Sequence, residues 1–312
     1  MILKKNILTI SAVISLASRV AWIVLFVSAS CLGSSHVFII VVDGVRYSES
    51  LGGKANYMPH IWNDLRPKGT IYTNFRNDGL TLTCPGHAAI LTGNWQKIAN
   101  DGSEEFSDPT LFELFRKQTK LPEQSCYVVS GKAKLRILSH STNGAYGEKY
   151  GAIVNLGESG TNIDTWERLA AVMSRDHPNA VIVNFAETDI AGHAGKWDRY
   201  VRAAAEVDSL IWLLWNKIQS DSLYKNSTTL FVTNDHGRHD DQHGGFKNHG
   251  DSCEGCRHIM LLALGPAFKA GGIVNDPAFQ VDLAPTAAGI LGLDFPVVQG
   301  RNLLHGKSVQ VK

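Results

Sequence analysis

The run Val37-Phe38-Ile39-Ile40-Val41-Val42 is unbroken apolar sequence, rich in β-branched residues, and it closes on Asp43-Gly44. A strand covered on both faces reads this way, because neither side of it can be polar. Four further runs repeat the pattern: CYVVSG (126–131), NAVIVNFAE (179–187), TTLFVTND (228–235) and HIMLLALG (258–265). Between them the residue pattern predicts helices at about 85–93, 109–119, 163–176, 199–219 and 281–291. Buried strands alternating with helices imply an α/β domain with a doubly wound, mostly parallel sheet flanked by helices. No internal repeat or low-complexity tract interrupts it, and the Gly-rich, polar stretch at about 94–165 reads as a short insertion.

A length of 312 residues with 44% apolar content accommodates one large α/β domain or two small ones and excludes a disordered chain. Lys+Arg (30) nearly balances Asp+Glu (29). There is therefore no global basic field of the kind that holds nucleic acid. Residues 1–35 differ from the rest: Lys4 and Lys5 precede ILTISAVISLAS, Arg19 interrupts, VAWIVLFVSAS follows, and small residues surround Cys31. The expected reading is an export signal, either cleaved near Ser28-Ala29-Ser30 or lipidated at Cys31, with an uncleaved membrane anchor as the alternative. Arg19 leaves neither apolar half long enough to span a bilayer alone. Residues 36–312 then form the mature domain, in a periplasmic, extracellular or membrane-anchored setting.

Export exposes the remaining cysteines to oxidising conditions, where Cys253-Glu-Gly-Cys256 could close a local disulfide or stay as two thiols. A CxxC is also half of a structural zinc site, with no second CxxC in the chain to complete it.

Acidic residues recur at the C-terminal ends of the strand runs: Asp43, Asp189 and Asp235. In open α/β sheets that edge is where sites form. A single Asp there is a common turn former, but three, each beside Gly or His, point to a site. Five of the twelve His (His236, His239, His243, His249, His258) crowd into one stretch, which favours metal.

Asp43-Gly44; Thr81-Leu-Thr83-Cys-Pro85-Gly-His87; Thr188-Asp189-Ile-Ala-Gly-His193; Asn234-Asp235-His236-Gly237; and His249-Gly250-Asp251 occur in that order. Taken together they resemble the alkaline phosphatase superfamily, most closely its nucleotide pyrophosphatase/phosphodiesterase branch, from about residue 36 to the C-terminus. The resemblance extends to Asp282-Leu-Ala-Pro-Thr286 and Leu291-Gly292-Leu293, which look like the family's closing helix and turn. It implies two divalent metal ions, with zinc preferred for a mixed N/O ligand set. Asp189, His193 and His249 would hold one ion; Asp43, Asp235, His236 and the Thr83 hydroxyl would hold the other. It further implies that Thr83 attacks phosphorus to form a phospho-threonine that water then hydrolyses. Two metals ~4 Å apart can grip the attacking and leaving oxygens of an in-line displacement, and coordination activates a hydroxyl that is otherwise a poor nucleophile.

Sulfatases of the same superfamily carry Cys-x-Pro-x-Arg, whereas Thr83, Cys84, Pro85 and His87 read Thr-x-Pro-x-His. That departure disfavours sulfate esters and leaves Cys84 as the weaker nucleophile. Pro85 and Gly86 suit a hydroxyl at a helix start, where free N–H groups favour a phosphoryl oxygen. The resemblance also favours His249 over His243 as the third ligand, since His249 lies at the family's usual distance before the strand that ends in Gly265-Pro266. Asn100 is the candidate phosphate contact, although its loop is shorter than in the phosphodiesterase branch. Asp208 is expected to be structural, His258 a strand-start residue, and His239, Asp240 and Asp241 a solvated loop. The expected partner is a small phosphate ester: a phosphodiester or nucleotide pyrophosphate first, a phosphomonoester or phosphonate second. A phosphoglycerate mutase-like isomerase shares the same core, and a metal-binding surface protein without turnover is the non-enzymatic alternative.

Overall fold

The computed structural model describes residues 36–305. The export segment expected at residues 1–35 lies outside them. Among the described residues no helix is long and apolar enough to cross a membrane.

The strand β1 (His36–Val42) is buried at every position. It lies between β5 (Ala180–Phe185) and β6 (Thr228–Thr233), parallel to both. The nine-stranded sheet runs β4 (Ile153–Leu156), β3 (Cys126–Ser130), β5, β1, β6, β7 (His258–Leu264), β2 (Gly69–Arg76), β8 (Gly272–Val274), with β9 (Ala278–Phe279) paired on β2. Helices α1 (Thr83–Thr92), α2 (Leu111–Thr119), α3 (Asn162–Asp176), α4 (Glu187–His193), α5 (Trp197–Ser220), α6 (Glu254–Arg257) and α7 (Leu283–Leu291) connect and cover the strands. Successive side chains of β1 point to opposite faces, and the two faces belong to two cores. Phe38, Ile40 and Val42 pack with α3 and α5 through Leu169, Val172, Val207 and Ile211. Val37, Ile39 and Val41 pack with α1, α2 and α7 through Ala88, Leu91, Phe112 and Leu283. The result is the doubly wound sheet expected.

Two expectations need correction. The run at 258–265 has the apolar pattern of a parallel strand, yet β7 is antiparallel to both β6 and β2. A parallel neighbour requires a crossover of a dozen or more residues, usually helical. The connection 234–257 holds only one turn of α-helix, α6, and stays at the edge where β6 ends, so the chain simply turns back. The stretch 94–165 is not set apart as an insertion: it supplies α2, with a Thr110/Glu113 capping box, and the strands β3 and β4 that extend the sheet beyond β5. The strand β2 has no continuous apolar run to announce it, because GTIYTNFR is interrupted by Thr70, Thr73, Asn74 and Arg76 and carries a register shift between Tyr72 and Phe75.

His36 opens β1 with its ring 3.2 Å from Ser227 Oγ and edge-on to Tyr224. Burial pushes its imidazole down to about 4, the Asp221 carboxylate opposing and His177 assisting. The folded protein therefore favours the neutral ring. The contribution is fully present above the unfolded value of about 6.5 and is lost as pH falls toward 4, a loss on the order of 3 kcal/mol. Urea midpoints at pH 7 and pH 4.5 should fall further for the wild type than for His36→Gln. Equal losses in the two proteins would refute this.

Candidate metal centre

Asp43 follows β1, Asp189 and His193 lie on α4 directly after β5, and Asp235-His236 follow β6. Because β5, β1 and β6 are adjacent and parallel, their C-terminal ends open on one edge and deliver these residues together. Backbone bonds tie the three turns to one another. The Asp43 N–H donates to the Phe185 carbonyl (3.1 Å), the Thr188 hydroxyl to the Asp43 carbonyl (2.8 Å), and the Gly44 N–H to Asp235 Oδ1 (3.2 Å). Gly44 has φ +63°, and a Cβ there would stand 2.8 Å from both Arg238 Nη1 and Asp189 Oδ1. Only glycine meets both demands.

Two triads of ligand-type atoms result, each within 4.8 Å of one another: Asp43, Asp235 and His236 in one, Asp189, His193 and His249 in the other. His193 Nε2 and His249 Nε2 are 3.1 Å apart, and His249 Nε2 lies 3.6 Å from Asp189 Oδ1. The His249 and His236 rings stack at 3.7 Å, so the triads adjoin. His249 Nδ1 sits 2.8 Å from the Thr81 carbonyl, which turns Nε2 toward the centre. His243 is exposed and paired instead with Asp240 Oδ1 at 2.6 Å, away from this centre.

Thr83 is the first residue of α1 and is buried. Its Oγ1 is 3.5 Å from His236 Nε2. No side chain caps this helix. Gly86 allows the close approach, since a Cβ there would meet the Asp235 carbonyl at 2.6 Å. His87 holds the helix from behind, with Nδ1 2.9 Å from the Thr83 carbonyl and 3.4 Å from Asp235 Oδ2, and Nε2 3.2 Å from Asn184 Oδ1. Asn100 Oδ1 accepts from the Cys84 N–H (2.9 Å) and from Lys134 Nζ (3.2 Å), which brings Asn100 to the same helix start. The Cys84 side chain lies in the core beneath α1, and burial raises its thiol above the usual range.

Two basic residues that sequence reading passed over reach this centre. Lys132, just beyond β3, donates from Nζ to Asp189 Oδ2 (2.6 Å) and pairs with Asp43 Oδ2 (2.8 Å), bridging the two triads. Arg238 is fully buried, and its guanidinium donates to Asp189 Oδ1, to the Phe246 carbonyl and to the Lys247 carbonyl. A signal for Lys132 was present: it follows the Ser-Gly that ends the strand run 126–131, at the same sheet edge as the three acids. Arg238 carried no comparable signal, because its partners come from a loop whose path the sequence does not reveal.

The electrostatics follow from this crowding. Burial, then the Asp235 carboxylate, raises the Asp43 carboxyl, with Lys132 opposing. Burial would raise Asp189 as well, but Lys132, His236 and Arg238 outweigh it and hold that carboxyl well below its usual range. Burial, then His236, pushes His249 down to about 3, and burial also lowers His193. Both imidazoles are thus neutral at pH 7 and ready to bind a cation without first losing a proton.

A divalent ion fits these residues on the structure's own terms. Within the described residues no hydrogen bond reaches the buried Asp43 Oδ1, while Asp43 Oδ2 is met only by Lys132 Nζ at 2.8 Å and Asp235 Oδ2 only by the His87 and His236 rings at 3.4 Å. Buried carboxylate oxygens are rarely left so, because the desolvation cost is uncompensated. The N/O donors on each side also match a catalytic set of three protein ligands with an open position.

Other expected roles sort themselves by geometry. Asp208 accepts from the backbone N–H groups of His60 (2.8 Å) and Ile61 (2.7 Å), so it anchors a turn. His258 starts β7, stacks on Tyr47 and meets the Thr73 carbonyl at 2.9 Å. Asp241 pairs with Arg46 at 2.9 Å. His239 departs from the solvated-loop expectation: its side chain is only 19% exposed and faces Asp251.

A family model described as the Metalloenzyme superfamily matches residues 35–258. A 2,3-bisphosphoglycerate-independent phosphoglycerate mutase from Halobacterium salinarum is 29% identical over 134 residues, which cover 43% of this chain and 25% of the mutase. The chain spans about a quarter of the length of the curated relatives it matches. A solved 2-O GAG sulfatase has TM-score 0.67 at 15% identity, covering 86% of this chain and 73% of that one. A protein in the alkaline phosphatase superfamily from Vibrio parahaemolyticus has TM-score 0.60 at 16% identity, covering 88% and 71%. At these identities the likeness to both structures is one of fold, and the fold is alkaline phosphatase-like.

Proposed function

The chain belongs to the Metalloenzyme superfamily, and from that premise we propose that it hydrolyses phosphate esters with two divalent ions, zinc by preference, and Thr83 as the nucleophile. The observation that carries this reading is a buried hydroxyl at an uncapped helix start, 3.5 Å from His236 of one ligand triad. Asp189, His193 and His249 would hold one ion; Asp43, Asp235 and His236, with Thr83, would hold the second. Bound there, the ions supply charge that neutralises the ester and lowers the pKa of the hydroxyl.

The chain's own residues do the rest. Thr83 Oγ1 forms the bond to phosphorus as the bond to the ester's leaving oxygen breaks, and water later cleaves the phospho-threonine. The first-turn N–H groups of α1 favour an anionic oxygen, and Asn100, held there by its Oδ1 on the Cys84 N–H, would offer its Nδ2 donors to substrate. Lys132 faces the same space between the triads, and its ammonium suits a phosphoryl oxygen. His87 keeps Thr83 and Asp235 in register without touching substrate.

The Thr-x-Pro-x-His pattern favours diesters or nucleotide pyrophosphates, and the basic-apolar-small order of residues 1–35 favours an exported or membrane-tethered setting. The mutase alignment favours a second reading, phosphoryl transfer between the hydroxyls of a phosphoglycerate. Purified protein should hydrolyse bis(p-nitrophenyl) phosphate faster than p-nitrophenyl phosphate and far faster than the sulfate, and lose activity on chelation. Faster monoester cleavage would replace the diesterase with a phosphomonoesterase. Interconversion of phosphoglycerates without hydrolysis would establish the mutase. Bound metal with no turnover of any substrate would leave a metal-binding protein.

A further inference from the structure

We infer that the loop between β6 and β7 carries a third metal site, separate from the ester-cleaving centre, in which His239, Asp251, Cys253 and Cys256 hold a thiophilic divalent cation such as zinc. The CxxC alone is half a site, and the fold supplies the other half. His239 Nε2, an Asp251 carboxylate oxygen and Cys256 Sγ lie within 4.8 Å of one another. His239 Nε2 is 3.1 Å from Asp251 Oδ2, yet it is buried with no hydrogen-bond partner among the described residues. Asp251 Oδ1 also accepts from the Cys253 N–H (2.9 Å), which sets Cys253 beside the same carboxylate. All four described cysteines are free thiols.

Two thiolates, one imidazole and one carboxylate suit tetrahedral zinc, whose bonds of about 2.0–2.3 Å set ligand atoms roughly 3.3–3.8 Å apart. Closing this cluster onto an ion therefore needs side-chain adjustments of about 1 Å. Each thiol gives its proton to solvent as it coordinates. The adjoining group of Asp240, His243 and Cys253 is the poorer candidate, because Asp240 is already spent on the His243 ring and on the N–H groups of Gln242 and His243. The backbone around the proposed site is pre-set. The Gly237 N–H donates to the Cys256 carbonyl at 2.8 Å, and Cβ atoms on Gly237 or Gly255 would strike backbone atoms at 1.9 and 2.5 Å. The two ends of the loop thus already meet, and a cation at 239, 251, 253 and 256 would lock the segment that presents His249.

The two ester-cleaving triads contain no cysteine, so sulfur ligation reports on the loop site alone. Full-length protein loaded with cobalt(II) under reducing conditions should show thiolate-to-cobalt charge-transfer absorption in the near ultraviolet. Cys256→Ser should weaken the band by about half or more, Cys253→Ser combined with Cys256→Ser should abolish it, and His239→Ala should lower cobalt content by one equivalent. Asp189→Asn should keep the band while impairing the ester-cleaving centre, so the two readings fail separately. The wild-type spectrum decides even if a variant does not fold. Absence of a thiolate band, its survival in the Cys253→Ser/Cys256→Ser double variant, or a Cys253–Cys256 disulfide in protein isolated without reductant would overturn the site.

Discussion

Thr83→Ala should lower phosphate-ester hydrolysis by about a thousandfold or more, equivalent to at least ~4 kcal/mol of transition-state stabilisation, while leaving the fold intact. The substitution removes only a hydroxyl and a methyl from a buried helix start. Thr83→Ser, which keeps the hydroxyl, should retain activity within about tenfold of wild type. Cys84→Ala should matter little, because that thiol is held in the core and burial raises it away from its reactive form. Mass spectrometry of protein quenched during turnover should find the added phosphoryl mass on the peptide containing Thr83. Retention of more than a tenth of the activity in Thr83→Ala would remove Thr83 as nucleophile and leave only a positioning role.

The second large effect concerns stability. Arg238 is fully buried and satisfies Asp189 together with two loop carbonyls. Replacing it with methionine, close in length and uncharged, strands a buried carboxylate and frees the loop ends. Removing one partner of a buried pair in this way costs about 3–5 kcal/mol. Urea unfolding of chelated Arg238→Met should show that loss, and adding Asp189→Asn should recover part of it, since the stranded charge is then gone. A loss below about 1 kcal/mol would mean that water or Lys132 compensates the carboxylate and that Arg238 is dispensable.

Much of the core was legible residue by residue. VFIIVV, NAVIVNFAE and TTLFVTND became β1, β5 and β6 because a strand buried on both faces has no polar positions to hide its period. GTIYTNFR became β2 without such a run, since its partners β7, β8 and β9 come from more than 180 residues away and supply the burial that its own pattern does not announce. The two triads are what the motif order implies through its family resemblance, and their members lie together because β1, β5 and β6 are adjacent and parallel and Asp43, α4 and Asp235 follow their ends. His249 over His243 was a preference on spacing, and the structure brings His249 to Asp189 and His193 because the loop doubles back and anchors its ring at Thr81.

Sequence alone, then, determined the central strands, most of the helices and the identity of several atoms at one sheet edge: the continuous apolar strand run, helix spacing and the residues just beyond each strand are local properties. Tertiary structure decided what stands between and beside those atoms. Lys132 bridges Asp43 and Asp189 because β3 is paired against β5. Arg238 is buried because Gly44 and Gly192 leave it room. His239 and Asp251 complete a lone CxxC because a 24-residue connection between antiparallel strands folds its two ends together. Each depends on contacts between distant segments, whose closure is governed by how neighbouring strands pair rather than by any residue's own preference.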